Sequence, residues 1–200
     1  MQKIIAFEGI PGSGKTTQLK LAKAYLSSHS EILLELNRYS PLKEVIQKWK
    51  ERTFRTELRC FYEEDIIALA RARAITQKSI LKSLAGQNYI LADRSVYTAM
   101  VYESGILTMS QIEDINRSEE VVFPDFGFIF DCNPNIALQR IDKRRIEENM
   151  YGSRSMHESL EDLTKKRESY LSLPGRHPEL KIINSDQSED STFQQIIAKL

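Results

Sequence analysis

The sequence predicts an α/β fold: a five-stranded parallel sheet covered by helices on both faces. Two observations carry this. Short apolar, β-branched runs alternate with longer segments of helical periodicity, and a glycine-rich turn joins the first strand-like run to the first helix-like one. Lys3 to Glu8 (KIIAFE) reads as a buried strand. Thr16 to Leu26 places Leu19, Ala22 and Leu26 at helical spacing. Ile32 to Leu36 is a second strand, followed from Pro41 to Lys50 by an amphipathic segment. Glu57 to Leu84 is a long helical run with Leu58, Phe61, Tyr62, Ile66, Leu69, Ile75, Ile80 and Leu84 on its apolar face, ended by Gly86. Tyr89 to Ala92, Gly127 to Phe130 and Lys181 to Ile183 supply the remaining strands. Ser110 with Glu113 and Ser159 with Asp162 resemble capping boxes, and Pro134 suits the first turn of a helix running to about Arg145.

At 200 residues the chain fits one domain, residues 1–200, with no repeat or linker. Its 28 basic and 28 acidic residues cancel, so no global field favours nucleic acid or an anionic membrane. Cys60 and Cys132 show no CxxC or metal spacing, which fits reduced packing thiols in a cytoplasmic setting. No stretch approaches the roughly 18 apolar residues of a membrane span, and the N-terminus reads directly into a strand rather than a signal peptide, so the chain is expected to be complete.

Function is most legible at Gly9-Ile10-Pro11-Gly12-Ser13-Gly14-Lys15-Thr16, which fills GxxxxGK[ST] between a strand and a helix. In such a loop backbone N–H groups converge on phosphate oxygens, the lysine reaches the β- and γ-phosphates, and the threonine hydroxyl ligates Mg²⁺. The helix dipole adds to the anion site. The fold expectation sharpens to a three-layer P-loop NTPase architecture, with ligands beyond the carboxyl ends of the strands.

Other chemistry-bearing residues cluster near those ends. Asp93 closes the third strand and is the favoured carboxylate for Mg²⁺, with Arg94 directly after it. Glu8, ending the first strand, is a further Mg²⁺ candidate, with buried hydrogen bonding as its alternative role. Asp131 precedes Asn133-Pro134 and reads as a turn or helix-start residue. Arg38, Arg71, Arg73 and Arg94 could converge on phosphate, Arg38 and Arg94 standing out by their strand-end positions. Arg140, Lys143, Arg144, Arg145 and Arg154 surround a Gly-bearing stretch, expected to form a lid over about residues 141–157. Asp125-Phe126-Gly127 matches the kinase DFG string without its companion motifs and reads as a turn entering a strand. His29, His157 and His177 are scattered and expected at the surface.

The chain resembles the thymidylate kinase family of P-loop nucleoside and nucleotide kinases. The resemblance rests on Phe7-Glu8-Gly9 leading into Gly14-Lys15-Thr16-Thr17-Gln18, then Asp93-Arg94, Tyr102, Pro124-Asp125 and Ala137-Leu138-Gln139-Arg140. It implies an ATP- and Mg²⁺-dependent kinase phosphorylating dTMP or a related deoxynucleotide. Gly9, Gly12, Ser13, Gly14, Lys15, Thr16, Thr17 and Arg140 would hold ATP, with Arg140 against adenine, while Thr16 and Asp93 would serve the metal. Arg38 and Arg94 would grip the acceptor phosphate, Arg71 would face the base, and Tyr102 would sit beneath the sugar. A gap-free count back from Tyr170-Leu171 lands Arg154 on the family's lid arginine, which would stabilise the transferred phosphoryl. Such enzymes are commonly homodimers.

Three positions depart from the family pattern. Pro11 stands in place of an aspartate that contacts the acceptor sugar, Ile67 in place of a stacking phenylalanine, and Asn37-Arg38-Tyr39-Ser40-Pro41 is a shortened form of an Arg-Glu-Pro loop. Asp93-Arg94-Ser95-Val96-Tyr97 also looks like a motif of deoxynucleoside kinases, which act on an unphosphorylated sugar hydroxyl and use a glutamate base; Glu35 is the nearby candidate. A nucleotide-dependent switch is disfavoured by the lack of an NKxD string.

Overall fold

A computed structural model describes residues 2–26, 30–33, 36–53, 61–149 and 158–200. Five strands, β1 (Lys3–Glu8), β2 (Ser30–Leu33), β3 (Tyr89–Asp93), β4 (Phe126–Asp131) and β5 (Leu180–Asn184), form one parallel sheet in the order β2-β3-β1-β4-β5. The described helices are α1 (Lys15–Leu26), α2 (Leu42–Thr53), α3 (Glu63–Ser83), α4 (Val96–Tyr102), α5 (Met109–Ser118), α6 (Pro134–Glu147), α7 (Leu160–Ser172) and α8 (Glu189–Ile197). The three-layer α/β expectation holds. Both neighbours of β1 arrive by crossover connections, so the glycine loop leaves the centre of the sheet.

Strand alternation sorts the core into two faces. Ile5, Phe7, Leu91, Phe128 and Phe130 pack with Leu19 and Ala22 of α1 and Ile196 of α8. Ile90 and Ala92 point the other way, onto Leu69 and Ala72 of α3 and Leu42 of α2. Ile129 faces a third group built around Tyr97, Met100, Leu163 and Tyr170. The Phe7 ring meets Phe128 edge-on at 5.6 Å and stacks on Phe130 at 5.7 Å.

Several elements differ from the expectations. The second strand lies at Ser30–Leu33, and Leu36–Arg38 is a 3-10 turn rather than strand. Helix α3 begins at Glu63, and the earlier part of the long run, 57–60, lies outside the described residues. The cap of α5 is Thr108 with Gln111, not Ser110 with Glu113: Gln111 N–H donates to Thr108 Oγ1 at 3.3 Å, and Thr108 N–H donates to Gln111 Oε1 at 3.0 Å. Glu113 is instead buried, and its carboxylate receives Arg117 at 2.8 Å. His177 is likewise buried, against Tyr97 and within 3.3 Å of both Glu113 and Glu179. His29 and His157 lie outside the described residues, as does Cys60. Asp125 does form the turn into β4, its Oδ2 accepting Ile4 N–H at 2.8 Å.

Two measurements check this packing. Phe128→Ala should cost about 3–5 kcal/mol in urea unfolding, because its ring is fully buried among aromatic neighbours; a loss below about 1 kcal/mol would contradict the described core. Burial pushes the Cys132 thiol up to about 11, against the opposing pull of Arg140. Alkylation at pH 8, mapped by mass spectrometry, should therefore leave Cys132 unmodified in native protein and label it in urea.

Candidate active site

The phosphate loop follows from backbone freedom. Gly9, Gly12 and Gly14 have φ of 138°, 76° and 85°, values that side chains disfavour. A Cβ at Gly12 would stand 2.3 Å from the carbonyl oxygen of Ala137, and one at Gly9 would stand 2.8 Å from that of Phe130. The loop is thus pressed against α6 and β4. Lys15 is buried, its Nζ donating to Ile10 O at 2.7 Å and to Ser13 Oγ at 3.3 Å. These bonds hold the ammonium over the loop's own curve. Thr16 and Thr17 follow in the first turn of α1, which carries no acidic residue, so the helix dipole there is uncompensated by the helix's own side chains.

The loop forms one wall of a cavity of about 860 Å³. The end of β3 forms another. Phe7 and Asp93 are paired in register, and Arg94 N–H donates to Phe7 O at 3.2 Å. Arg94 takes a left-handed φ of 68°, a strained conformation that surrounding contacts must hold. Its Nη1 donates to Gly9 O at 3.3 Å, Thr98 Oγ1 at 3.3 Å and Tyr170 OH at 3.1 Å. Asp93 and Arg94 both line the cavity.

Glu8 holds this turn. Its Oε1 accepts from Ser95 N–H and Ser95 Oγ, both at 2.7 Å, and its Oε2 accepts from Thr98 Oγ1 at 2.6 Å. Burial raises its carboxyl above the usual range, while the Ser95 and Thr98 hydrogen bonds and Arg94 oppose the rise. Glu8 is fully buried and is not among the cavity-lining residues. Of its two sequence readings, the geometry matches hydrogen bonding rather than a metal ligand.

The sides of α2, α3 and α4 enclose the far end. Trp49 and Phe61 stack at 4.0 Å and 12°, and both line the cavity together with Arg38, Leu69, Arg73 and Tyr102. Arg94 lies 5.5 Å and Lys166 lies 4.7 Å from the centre of the Tyr102 ring. Arg71 and Ile67 are not brought here. Arg71 faces outward, its guanidinium bidentate on Glu119 at 2.8 and 3.0 Å, and Ile67 is not a lining residue. Their places are taken by Arg73 and Leu69, two positions along the helix. The signal was present: Ile66, Leu69, Arg73 and Gln77 fall on one buried stripe at three- and four-residue spacing. Glu103, Trp49 and Phe61 carried no motif at all.

At the other end, Arg140 lines the cavity and donates to Ser185 O at 3.0 Å. Arg144 lines it as well, and Arg145 pairs with Glu158 at 3.9 Å, joining the two flanks of the expected lid. Helix α6 occupies 141–147 of that span; 150–157, including Arg154, lie outside the described residues. Asp131, expected as a turn or helix-start residue, is instead the last residue of β4 and accepts from Arg167 at 2.5 Å, while Asn133 caps α6.

Oxygen donors Thr16 and Asp93 at the cavity wall suit Mg²⁺, which binds through one or two protein oxygens and keeps water and phosphate for the rest. No group of three metal-ligating side chains occurs among the described residues.

Sheet order, phosphate loop and a cavity with arginines at both ends define a P-loop phosphotransferase. The model of the thymidylate kinase family matches residues 7–196, and the chain belongs to that family. Over 199 residues it is 28% identical to the thymidylate kinase of Thermosipho africanus, covering 96% of this chain and 94% of that one. It is 30% identical to that of Maridesulfovibrio salexigens (98% and 94% covered) and 32% to that of Leptospira interrogans (83% and 78%).

Gly12→Ala should weaken ATP binding at least about tenfold in calorimetry, since the methyl meets a backbone carbonyl in a positive-φ turn. Unchanged affinity would contradict the loop's tight seat on α6.

Proposed function

We propose that this enzyme transfers the γ-phosphoryl group of ATP to dTMP, with Mg²⁺. The observation that carries the reading is one continuous cavity shared by the phosphate loop, Asp93-Arg94 and a flat aromatic compartment holding an arginine. Lys15 and the loop N–H groups hold the donor phosphates, and Arg140 lies against adenine. Mg²⁺, when bound through Thr16 and Asp93, offsets phosphate charge. Arg38 and Arg94 grip the acceptor phosphate, Tyr102 supports the sugar, and Arg73 with the Trp49-Phe61 wall meets the base. Pro11 supplies neither a carboxylate nor an N–H to the sugar, so Tyr102 and the arginines carry acceptor placement. Catalysis is positioning plus charge stabilisation, to which Arg154 of the lid contributes. The same reading takes residues 1–200 as one cytoplasmic kinase unit that forms a homodimer. Its balanced charge offers nucleic acid no field, and no helix among the described residues is long and apolar enough to cross a membrane.

A coupled ADP-release screen over nucleosides and nucleoside monophosphates tests this. Release stimulated by dTMP and not by thymidine is expected; stimulation by thymidine alone would make the enzyme a deoxynucleoside kinase. Asp93→Asn should lower kcat at least about a hundredfold with little change in Tm; wild-type turnover would remove Asp93 from the chemistry. Arg38→Ala should raise KM for dTMP about tenfold, through loss of a guanidinium–phosphate contact. An unchanged KM would unseat Arg38.

A further inference from the structure

Helix α7 turns one face to the core through Leu163, Lys166 and Tyr170, which recur at three- and four-residue spacing. Leu163 and Tyr170 suit such a stripe. Lys166 is a cation where an apolar side chain would pack, yet it is only 8% exposed. Its ammonium pairs with Asp162, one turn earlier on the same helix, and lies 4.7 Å from the centre of the Tyr102 ring at the end of α4.

The preceding residue shows that a helix-surface ion pair does not account for this. Lys165 makes the same i, i+4 pair, with Glu161 at 2.6 Å, and its side chain is 70% exposed. Such a pair stabilises a helix weakly and asks for no burial. A lysine kept only for that purpose leaves its ammonium in water. Lys166 gives up most of that hydration, although leucine or methionine would fill the stripe without the desolvation cost. In its place the ammonium meets the electron-rich face of Tyr102.

We propose that Lys166 is a positioning residue for the acceptor nucleotide, its buried ammonium holding the Tyr102 ring in the plane on which the acceptor sugar lies. The inference depends on the dTMP reading, in which Tyr102 supports the sugar, and adds to it a residue behind that support.

Tyr102 lines the cavity and Lys166 does not, so Lys166 reaches the acceptor through the ring. Tyr102 is the last residue of a seven-residue helix, and its half-buried ring packs against the core group that contains Leu163 and Tyr170. Arg94 also lies near the ring, at 5.5 Å, but its guanidinium is engaged by Gly9, Thr98 and Tyr170. Lys166 supplies a second cation, from a different helix, that Asp162 anchors. Attraction between a cation and a ring weakens as the ring tilts away, which restrains the surface beneath the sugar. Small errors in that surface misplace a bound acceptor.

Steady-state kinetics on the full chain with ATP and dTMP, each varied with the other saturating, test the assignment. The variants are Lys166→Met, Tyr102→Leu and the two combined, with Tm recorded for each. Lys166→Met should raise KM for dTMP about fivefold, in the range of a cation over an aromatic ring. KM for ATP and kcat should stay within about twofold. Tm should hold or rise, because an apolar side chain replaces a buried charge. In the Tyr102→Leu background, Lys166→Met should add nothing further. An unchanged KM for dTMP in Lys166→Met overturns the proposal. So do equal rises for both substrates with a lowered Tm, which would make Lys166 a packing residue alone, and so does an undiminished effect in the absence of the Tyr102 ring. Should Lys166→Met not fold, Lys166→Gln takes its place with the same expected KM rise, and an unchanged KM there overturns the proposal equally. Failure of the wild type to turn over dTMP would overturn the acceptor reading and this inference together, whereas dTMP turnover with unchanged KM in the variant overturns only the inference.

Discussion

The buried carboxylate of Glu8 is the interaction on which the site depends. It ends β1 immediately before the phosphate loop and receives three hydrogen bonds from Ser95 and Thr98, at the start of α4. A chain of hydrogen bonds continues from it. Thr98 spends its hydroxyl proton on Glu8 and so accepts from Tyr170, which in turn accepts from Arg94. The strained backbone of Arg94 is held from both ends by this chain and by its own N–H on Phe7 O. Loop and Asp93-Arg94 turn are therefore one rigid unit, although 85 residues separate Gly9 from Arg94. Burial makes the carboxylate expensive and the hydrogen bonds offset that cost, so the unit forms completely or not at all.

Five arginines among the described residues line the cavity. Arg94 stands at its centre, Arg140 and Arg144 at one end, Arg38 and Arg73 at the other. Arg73 is deeply buried and pairs with the buried carboxylate of Glu103. Phosphate-binding arginines gain from partial exposure, since a strong internal partner would compete with phosphate. Arg73 is held by Glu103 and Asn116. Arg71 shows the contrast: on the same helix, two residues away, it is itself exposed and spends its fork on half-buried Glu119.

Where pattern and packing agree, the sequence is a good guide. Strands β1, β3 and β4 lie close to their expected positions because each is a short buried run whose hydrophobicity is set by the sheet itself, whereas β2 begins two residues early. The phosphate loop is legible because backbone geometry demands glycine at particular positions. Helix α4 was not expected: Val96, Tyr97, Thr98 and Val101 favour strand locally, and the Ser95 cap with burial against the sheet overrides them. Along α3, similarity to a family pointed to Ile67 and Arg71, whereas the helix presents Leu69 and Arg73 to the cavity. Helical phase, set by which stripe is buried, decides that point.

The central claim is that one cavity binds both nucleotides with their phosphates meeting between Lys15 and Arg94. Adenosine and thymidine joined 5′ to 5′ through a polyphosphate chain probe this directly by calorimetry with Mg²⁺. If both ends are held at once, linkage converts the second contact into an intramolecular one, and affinity should exceed that of ATP or dTMP alone by about a hundredfold or more. Affinity no better than that of ATP would mean the two sites do not lie in one cavity, and would contradict the account.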